Sequence, residues 1–232
     1  MASVVQVIHK VRDNEYETRQ DGVSSSFSKQ TLEISLQASS EETELRFLEE
    51  NQDNQLHKNV QLLTASRSGN YWNVLDLLDA GADIDSDEKS RNHFRGSSSN
   101  FNETPIHLAC YYNHVEIVQL LAEAGANVSI PNSYQQTPLR TASMKGFNDI
   151  VTILKHHGAD VNAVDKWNIT PLFIAVRCAH VETVELLLSL GADKTIATHY
   201  GRTPIDEAKS PDKYSQLFRS PEKCKEIISL LN

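Results

Sequence analysis

Thr104-Pro105-Ile106-His107-Leu108-Ala109 returns as Thr137-Pro138-Leu139-Arg140-Thr141-Ala142, as Thr170-Pro171-Leu172-Phe173-Ile174-Ala175 and as Thr203-Pro204-Ile205-Asp206-Glu207-Ala208. The threonines at 104, 137, 170 and 203 stand 33 residues apart, and Gly125-Ala126, Gly158-Ala159 and Gly191-Ala192 keep the same step. Two markers locked to one period predict a stack of short units, because a unit of this size buries its apolar face only against its neighbours. The Thr-Pro pair opens a helix: Thr caps a free N–H, and Pro at the first helical position gives up a donor that had no partner. Second helices follow at Val115–Leu121, Ile150–Leu154 and Val181–Leu187, each closed by the Gly of a Gly-Ala pair in the left-handed region.

The period, the Thr-Pro-Ile-His-Leu-Ala word and Gly158-Ala159-Asp160-Val161-Asn162 resemble the ankyrin repeat family, over residues 58–232. The resemblance implies an all-α solenoid of helix-turn-helix units joined by hairpin fingers. Its register gives a degenerate capping repeat at 58–84, an insertion at 85–102, repeats at 103–135, 136–168 and 169–201, and a C-terminal cap at 202–232. Between paired helices, Gly146 occupies a position usually given to Gly, Asn113 tolerates it, and Ala179 is expected to be strained there or to shift the turn.

Two departures break the period. Ala65 precedes Ala109 by 44 residues, so 11 extra residues fall within Asp85–Asn102, at a finger position. Another 11 separate the two helices of the last unit and include Ser210-Pro211 and Ser220-Pro221. In the first unit, Val60 stands where a Thr-Pro pair should begin, as befits a cap that needs a polar outer side.

Residues 1–57 carry 5 lysines and arginines against 11 acids and read as an acidic arm, largely flexible. Within it, Val4–Val11 fits a helix face or a strand. Gly22 and the serines near it read as a link, and Thr31–Gln37 alternates like a strand. Ser39 and Glu42 form a capping-box pattern before Leu45 and Leu48. A strand or helix that docks on the stack or on a partner is the alternative reading of this arm.

The net charge of −9, without a basic run, argues against nucleic-acid binding. Three separated cysteines favour reduced thiols. The first residues lack the basic start and apolar core of a signal peptide, and no 18-residue apolar run exists. A monomeric protein of the cytoplasm or nucleus, without membrane insertion, is expected.

No phosphate-cradling, zinc-protease or nucleophile-elbow motif is present, so neither an enzyme nor a cofactor is expected. His156 and His157 are adjacent and face apart. By the resemblance, His107 serves structural hydrogen bonding, and Cys110 and Cys178 read as small, partly buried residues rather than nucleophiles. Three residues before each Thr-Pro threonine stand Phe101, Tyr134, Trp167 and Tyr200. The resemblance puts them on the fingers beside a concave groove, where a ladder of rings would anchor a partner or pack finger on finger. It also points to Glu103, Gln136, Ile169 and Arg202 before each threonine, and to Tyr111, Tyr112, Met144, Lys145 and Arg177 at the first-helix ends. The mix is aromatic and modestly basic, and the expected function is a protein or peptide interaction module. The alternative by resemblance is a substrate-recognition adaptor of a ubiquitin ligase. Leu154 followed by Asp160-Val161-Asn162 also resembles a site of asparagine hydroxylation at Asn162, a residue that equally belongs to the ordinary turn consensus.

Overall fold

The computed structural model describes residues 41–87, 102–210 and 220–232. Ten helices follow one another in them: α1 (Glu41–Ser68), α2 (Tyr71–Asp79), α3 (Pro105–Tyr111), α4 (Val115–Glu123), α5 (Pro138–Lys145), α6 (Asn148–His156), α7 (Pro171–Arg177), α8 (Val181–Ser189), α9 (Pro204–Lys209) and α10 (Pro221–Leu231). No strand occurs among the described residues. The odd-numbered helices pack one on the next as an inner layer and the even-numbered ones as an outer layer, so five helix pairs form a solenoid. One continuous core runs through them, from Leu62 to Leu231.

The expected punctuation is present. Thr137 Oγ1 accepts from Arg140 N at 3.3 Å and Thr170 Oγ1 from Phe173 N at 3.1 Å, with Pro next in each helix. The outer helices α2, α4, α6 and α8 each end on a Gly at positive φ, and the following Ala N–H reaches back to a carbonyl inside the helix, as in Ala159 N to Leu154 O at 3.0 Å.

The first unit departs from the sequence reading at its start. α1 is continuous from Glu41, across the division drawn at residues 57 and 58. With Val60 in place of a Thr-Pro pair, nothing caps the helix or removes a donor there, so the i to i−4 ladder continues towards the N-terminus. From Gln55 onward the helix engages the stack. Gln55 Nε2 donates to Gly81 O at 3.0 Å, Lys58 Nζ to Ala80 O at 2.9 Å, and Asn59 Oδ1 accepts from Asp83 N at 2.9 Å. The first two bonds satisfy carbonyls that the end of α2 leaves open, and the third satisfies the N–H of Asp83 just beyond it.

The readings of Val4–Val11, Gly22, Thr31–Gln37 and Ser39 lie outside the described residues, as do 88–101 of the first insertion and 211–219 of the second. No described helix is long and apolar enough to cross a membrane.

Candidate functional site

Three tight fingers separate the helix pairs. In each, one residue closes the turn at both ends: Asn132 N bonds Gln136 O, Asp165 N bonds Ile169 O, and Thr198 N bonds Arg202 O, at 2.9–3.2 Å. Asn132 Oδ1 and Asp165 Oδ1 each accept two further backbone N–H groups. The residue after the aromatic one takes positive φ: 59° at Gln135, 60° at Asn168 and 72° at Gly201. Adjacent fingers are tied by backbone bonds, Lys166 N to Tyr134 O at 3.1 Å and His199 N to Trp167 O at 3.0 Å. The finger row is therefore a rigid edge.

The rings on that edge are arranged unequally. Tyr134 and Trp167 stack, with centroids 5.9 Å apart and planes 14° from parallel. Lys166 Nζ lies 3.7 Å from the Tyr134 centroid and 4.4 Å from that of Trp167, so a cation is held on the pair. Tyr200 is 82% exposed. Phe101, the remaining rung, lies outside the described residues. Finger-on-finger packing and an open ring thus coexist in one ladder.

A cavity of about 440 Å³ opens beside Trp167 and Tyr200 and is lined also by Arg140, Ile169, Phe173, Arg177, Thr198 and Arg202. Its apolar floor is a small cluster in which Ile169, Phe173 and Ile174 are buried and Met144, Trp167 and Cys178 pack against them. Ile169, expected at the contact surface, is only 8% exposed and belongs to that floor. Two buried carboxylates organise the cations. Asp165 Oδ2 meets Arg140 Nε at 2.9 Å, and Glu207, fully buried in α9, lies 3.1 Å from Arg202 Nη2 and 3.8 Å from Arg177 Nε. Both acids are hidden, while the Arg177 and Arg202 side chains keep about a third of their surface exposed. The cavity rim thus carries two partly exposed arginine side chains and the open Tyr200 ring.

Further along the inner layer, Tyr111 and Tyr112 are exposed and meet edge to face at 5.0 Å, with Lys145 Nζ 3.9 Å above Tyr111. Tyr112 also stacks on His114, at 6.3 Å. Gln136 is half-buried within its finger, where its carbonyl accepts from His107 Nε2 at 3.0 Å. Glu103 is half-buried at the foot of its own finger. Asn162 Oδ1 accepts from Asp193 N at 2.8 Å and so ties one unit to the next.

Sequence reasoning missed Arg140, Lys166, Phe173 and Glu207. Glu207 reads as an ordinary exposed helix residue, and only the two arginines that surround it reveal its burial. Lys166 had a readable signal, since it directly precedes a finger ring.

The histidine and cysteines resolve cleanly. His107 Nδ1 lies 2.9 Å from Thr104 Oγ1 and accepts from Thr104 N at 3.4 Å, so Nε2 carries the proton given to Gln136 O. Burial lowers its pKa to about 4, and the ring is neutral. Cys110 is fully buried, which pushes its thiol far up, away from nucleophilic chemistry. Among the described residues no group of three or more His, Cys, Asp or Glu could hold a metal ion.

Comparison with known proteins gives two family matches, ankyrin repeats (3 copies) over residues 62–165 and ankyrin repeats (many copies) over 148–188. The chain is also similar to oxysterol-binding protein-related protein 1. Identity is 45% over 76 residues with the Rattus norvegicus protein, 43% over 76 with that of Mus musculus and 40% over 74 with that of Homo sapiens. Each of these matches takes in 31% of this chain and spans only 8% of the relative's own length. With the helix pairs, the 33-residue step and the family matches in agreement, this chain belongs to the ankyrin repeat family.

Proposed function

We propose that the chain is a non-catalytic interaction module that receives a protein or peptide partner along the finger-lined inner face. Ankyrin repeats are generally protein–protein interaction modules. The observation that carries the reading for this chain is the cavity between Trp167 and Tyr200, where an open ring, an apolar floor and two partly exposed arginine side chains converge on a rigid edge. Aromatic and arginine side chains are the groups that most often dominate binding energy, the rings because they bury large area with little rotamer loss and arginine because its planar fork presents several fixed donors. Tyr111, Tyr112 and Lys145 extend the surface along the inner layer.

Affinity purification with mass spectrometry tests the reading, comparing the wild type with Tyr134→Ala/Trp167→Ala and with Tyr200→Ala. Trp167 packs on the floor cluster, so circular dichroism must show that the double variant is folded. Tyr200 is almost fully exposed, and its removal leaves the stack intact. A stoichiometric partner lost from both variants supports the groove. Partners recovered equally by all three proteins would place binding elsewhere.

A further inference from the structure

We infer that the partner is an extended acidic segment with carboxylates about three residues apart, one of them seated between Arg177 and Arg202. The inference rests on the groove reading above and names what the groove takes. The chain as a whole carries −9, yet the cations that line this face are concentrated where the acids are hidden. Asp165 and Glu207 have fully buried side chains, while Lys166 is exposed and Arg177 and Arg202 are about a third exposed. The buried Glu207 holds both arginines in place while each side chain stays about a third exposed. Arg202 is held further by the carbonyls of Asp206 and Ser210, and among the described residues all these contacts fall on Nη2. A preorganised guanidinium loses little freedom when a carboxylate arrives.

Spacing supplies the second half. Lys145 stands one repeat before Cys178, the neighbour of Arg177, and Lys166 stands one finger before His199, close to Arg202. Packed helices lie about 8–10 Å apart. A polyproline-like extended segment returns to the same face every third residue, after about 9 Å. Carboxylates at every third position therefore meet Lys145 or Lys166 and then the Arg177–Arg202 site in step with the repeats. The Phe173 ring is buried below Arg177 at 5.7 Å, and the exposed Tyr200 ring at the cavity edge offers the apolar contact for a side chain beside the acid.

Fluorescence anisotropy with the full chain tests this directly. The probes are fluorescein-labelled peptides with glutamate at every third position, the same composition with the glutamates in one block, and a version with lysine at each glutamate position. The spaced acidic peptide is expected to bind at least about tenfold tighter than the block peptide, and the lysine peptide not at all. Arg177→Gln and Lys166→Gln should each weaken the spaced peptide about tenfold. Equal binding of the acidic and lysine peptides, or unchanged affinity in both variants, overturns the inference. If a neutral aromatic peptide binds instead and loses affinity in Tyr200→Ala, the groove stands and its acidic preference falls. If no peptide of any class responds to Tyr200→Ala or Trp167→Ala, both readings fall together.

Discussion

The ring of His180 occupies the space that a side chain on Gly146 would need: a Cβ there would stand 2.8 Å from His180 Nδ1. His180 Nε2 donates to Met144 O at 3.0 Å, so the imidazole of one repeat closes the inter-helix turn of the repeat before it. The same device joins Gly69 to His114, whose Nε2 donates to Arg67 O at 3.0 Å. The intervening turn, at Asn113, has no glycine, and Phe147 stands in the histidine's register one repeat on. Gly and His thus occur as a pair across the interface.

Gly146→Ala should therefore be costlier than an ordinary glycine substitution. It forces a side chain into φ +79° and also displaces a hydrogen-bonded ring. A loss of about 2–3 kcal/mol is expected from the left-handed strain together with the lost bond. Gly158→Ala has φ +93° but open space around the new Cβ, and should lose about 1–2 kcal/mol. Urea denaturation of the two variants reads the difference directly.

The turn at Ala179 has the left-handed φ, +57°, without the glycine, and the backbone has not shifted to avoid it. Ala179 is 2% exposed, so Ala179→Gly relieves strain while giving up a buried methyl. These offset to within about 1 kcal/mol. Ala175→Gly makes the same chemical change at a fully buried position inside α7 and relieves nothing. It should cost about 2 kcal/mol, from helix propensity and the lost methyl together. Similar losses at the two positions would mean that Ala179 carries no strain.

Architecture was legible because Thr, Pro, Gly and Ala act locally. A Thr-Pro pair opens a helix whatever surrounds it, and the sequence places α3, α5, α7 and α9 by that pair alone. The reach of α1 back to Glu41 was not legible, since it follows from a missing stop rather than from a present signal. At the candidate site, the period placed Tyr134, Trp167, Arg177, Tyr200 and Arg202 on or beside one cavity edge. It gave no hint that Ile169 would sink into the floor or that Glu207 would lie buried beneath two arginines. Both outcomes depend on side chains of the preceding repeat, Met144 and Trp167 for Ile169 and Arg177 for Glu207, and a single-repeat pattern does not contain them.

His107 makes stability depend on pH. Its folded pKa is lowered from 6.5 to about 4 by burial, so the unfolded chain binds a proton more readily than the folded one. Its contribution is whole above about pH 6.5 and is lost progressively as the pH falls from there towards 4. The loss over that window is on the order of 3 kcal/mol. His107→Gln removes the titrating group, and its denaturation midpoint should fall less steeply with acid than that of the wild type. Parallel curves would show that the ring is not held neutral by burial.

Arg140 and Asp165 pair across neighbouring repeats by their charges, and they follow a pattern within the chain. The residue three after each Thr-Pro threonine runs His107, Arg140 and Phe173, and the finger-closing residue of the next unit runs Asn132, Asp165 and Thr198. A neutral ring goes with an amide, a guanidinium with a carboxylate, and a phenyl with a hydroxyl. The reason is burial: Arg140 and Asp165 have side chains 8% and 0% exposed, so neither charge is tolerated without the other. Asp165→Asn keeps the oxygen that accepts from Trp167 N and Ile169 N but strands the cation, and should cost about 3 kcal/mol. Arg140→His combined with Asp165→Asn reproduces the His107 and Asn132 pair one repeat on, where an Nε2–H can donate to the carbonyl of Ile169. The double variant should therefore be more stable than the sum of the single changes by at least about 1 kcal/mol. Additive losses in that cycle would show that the two positions are not chosen together.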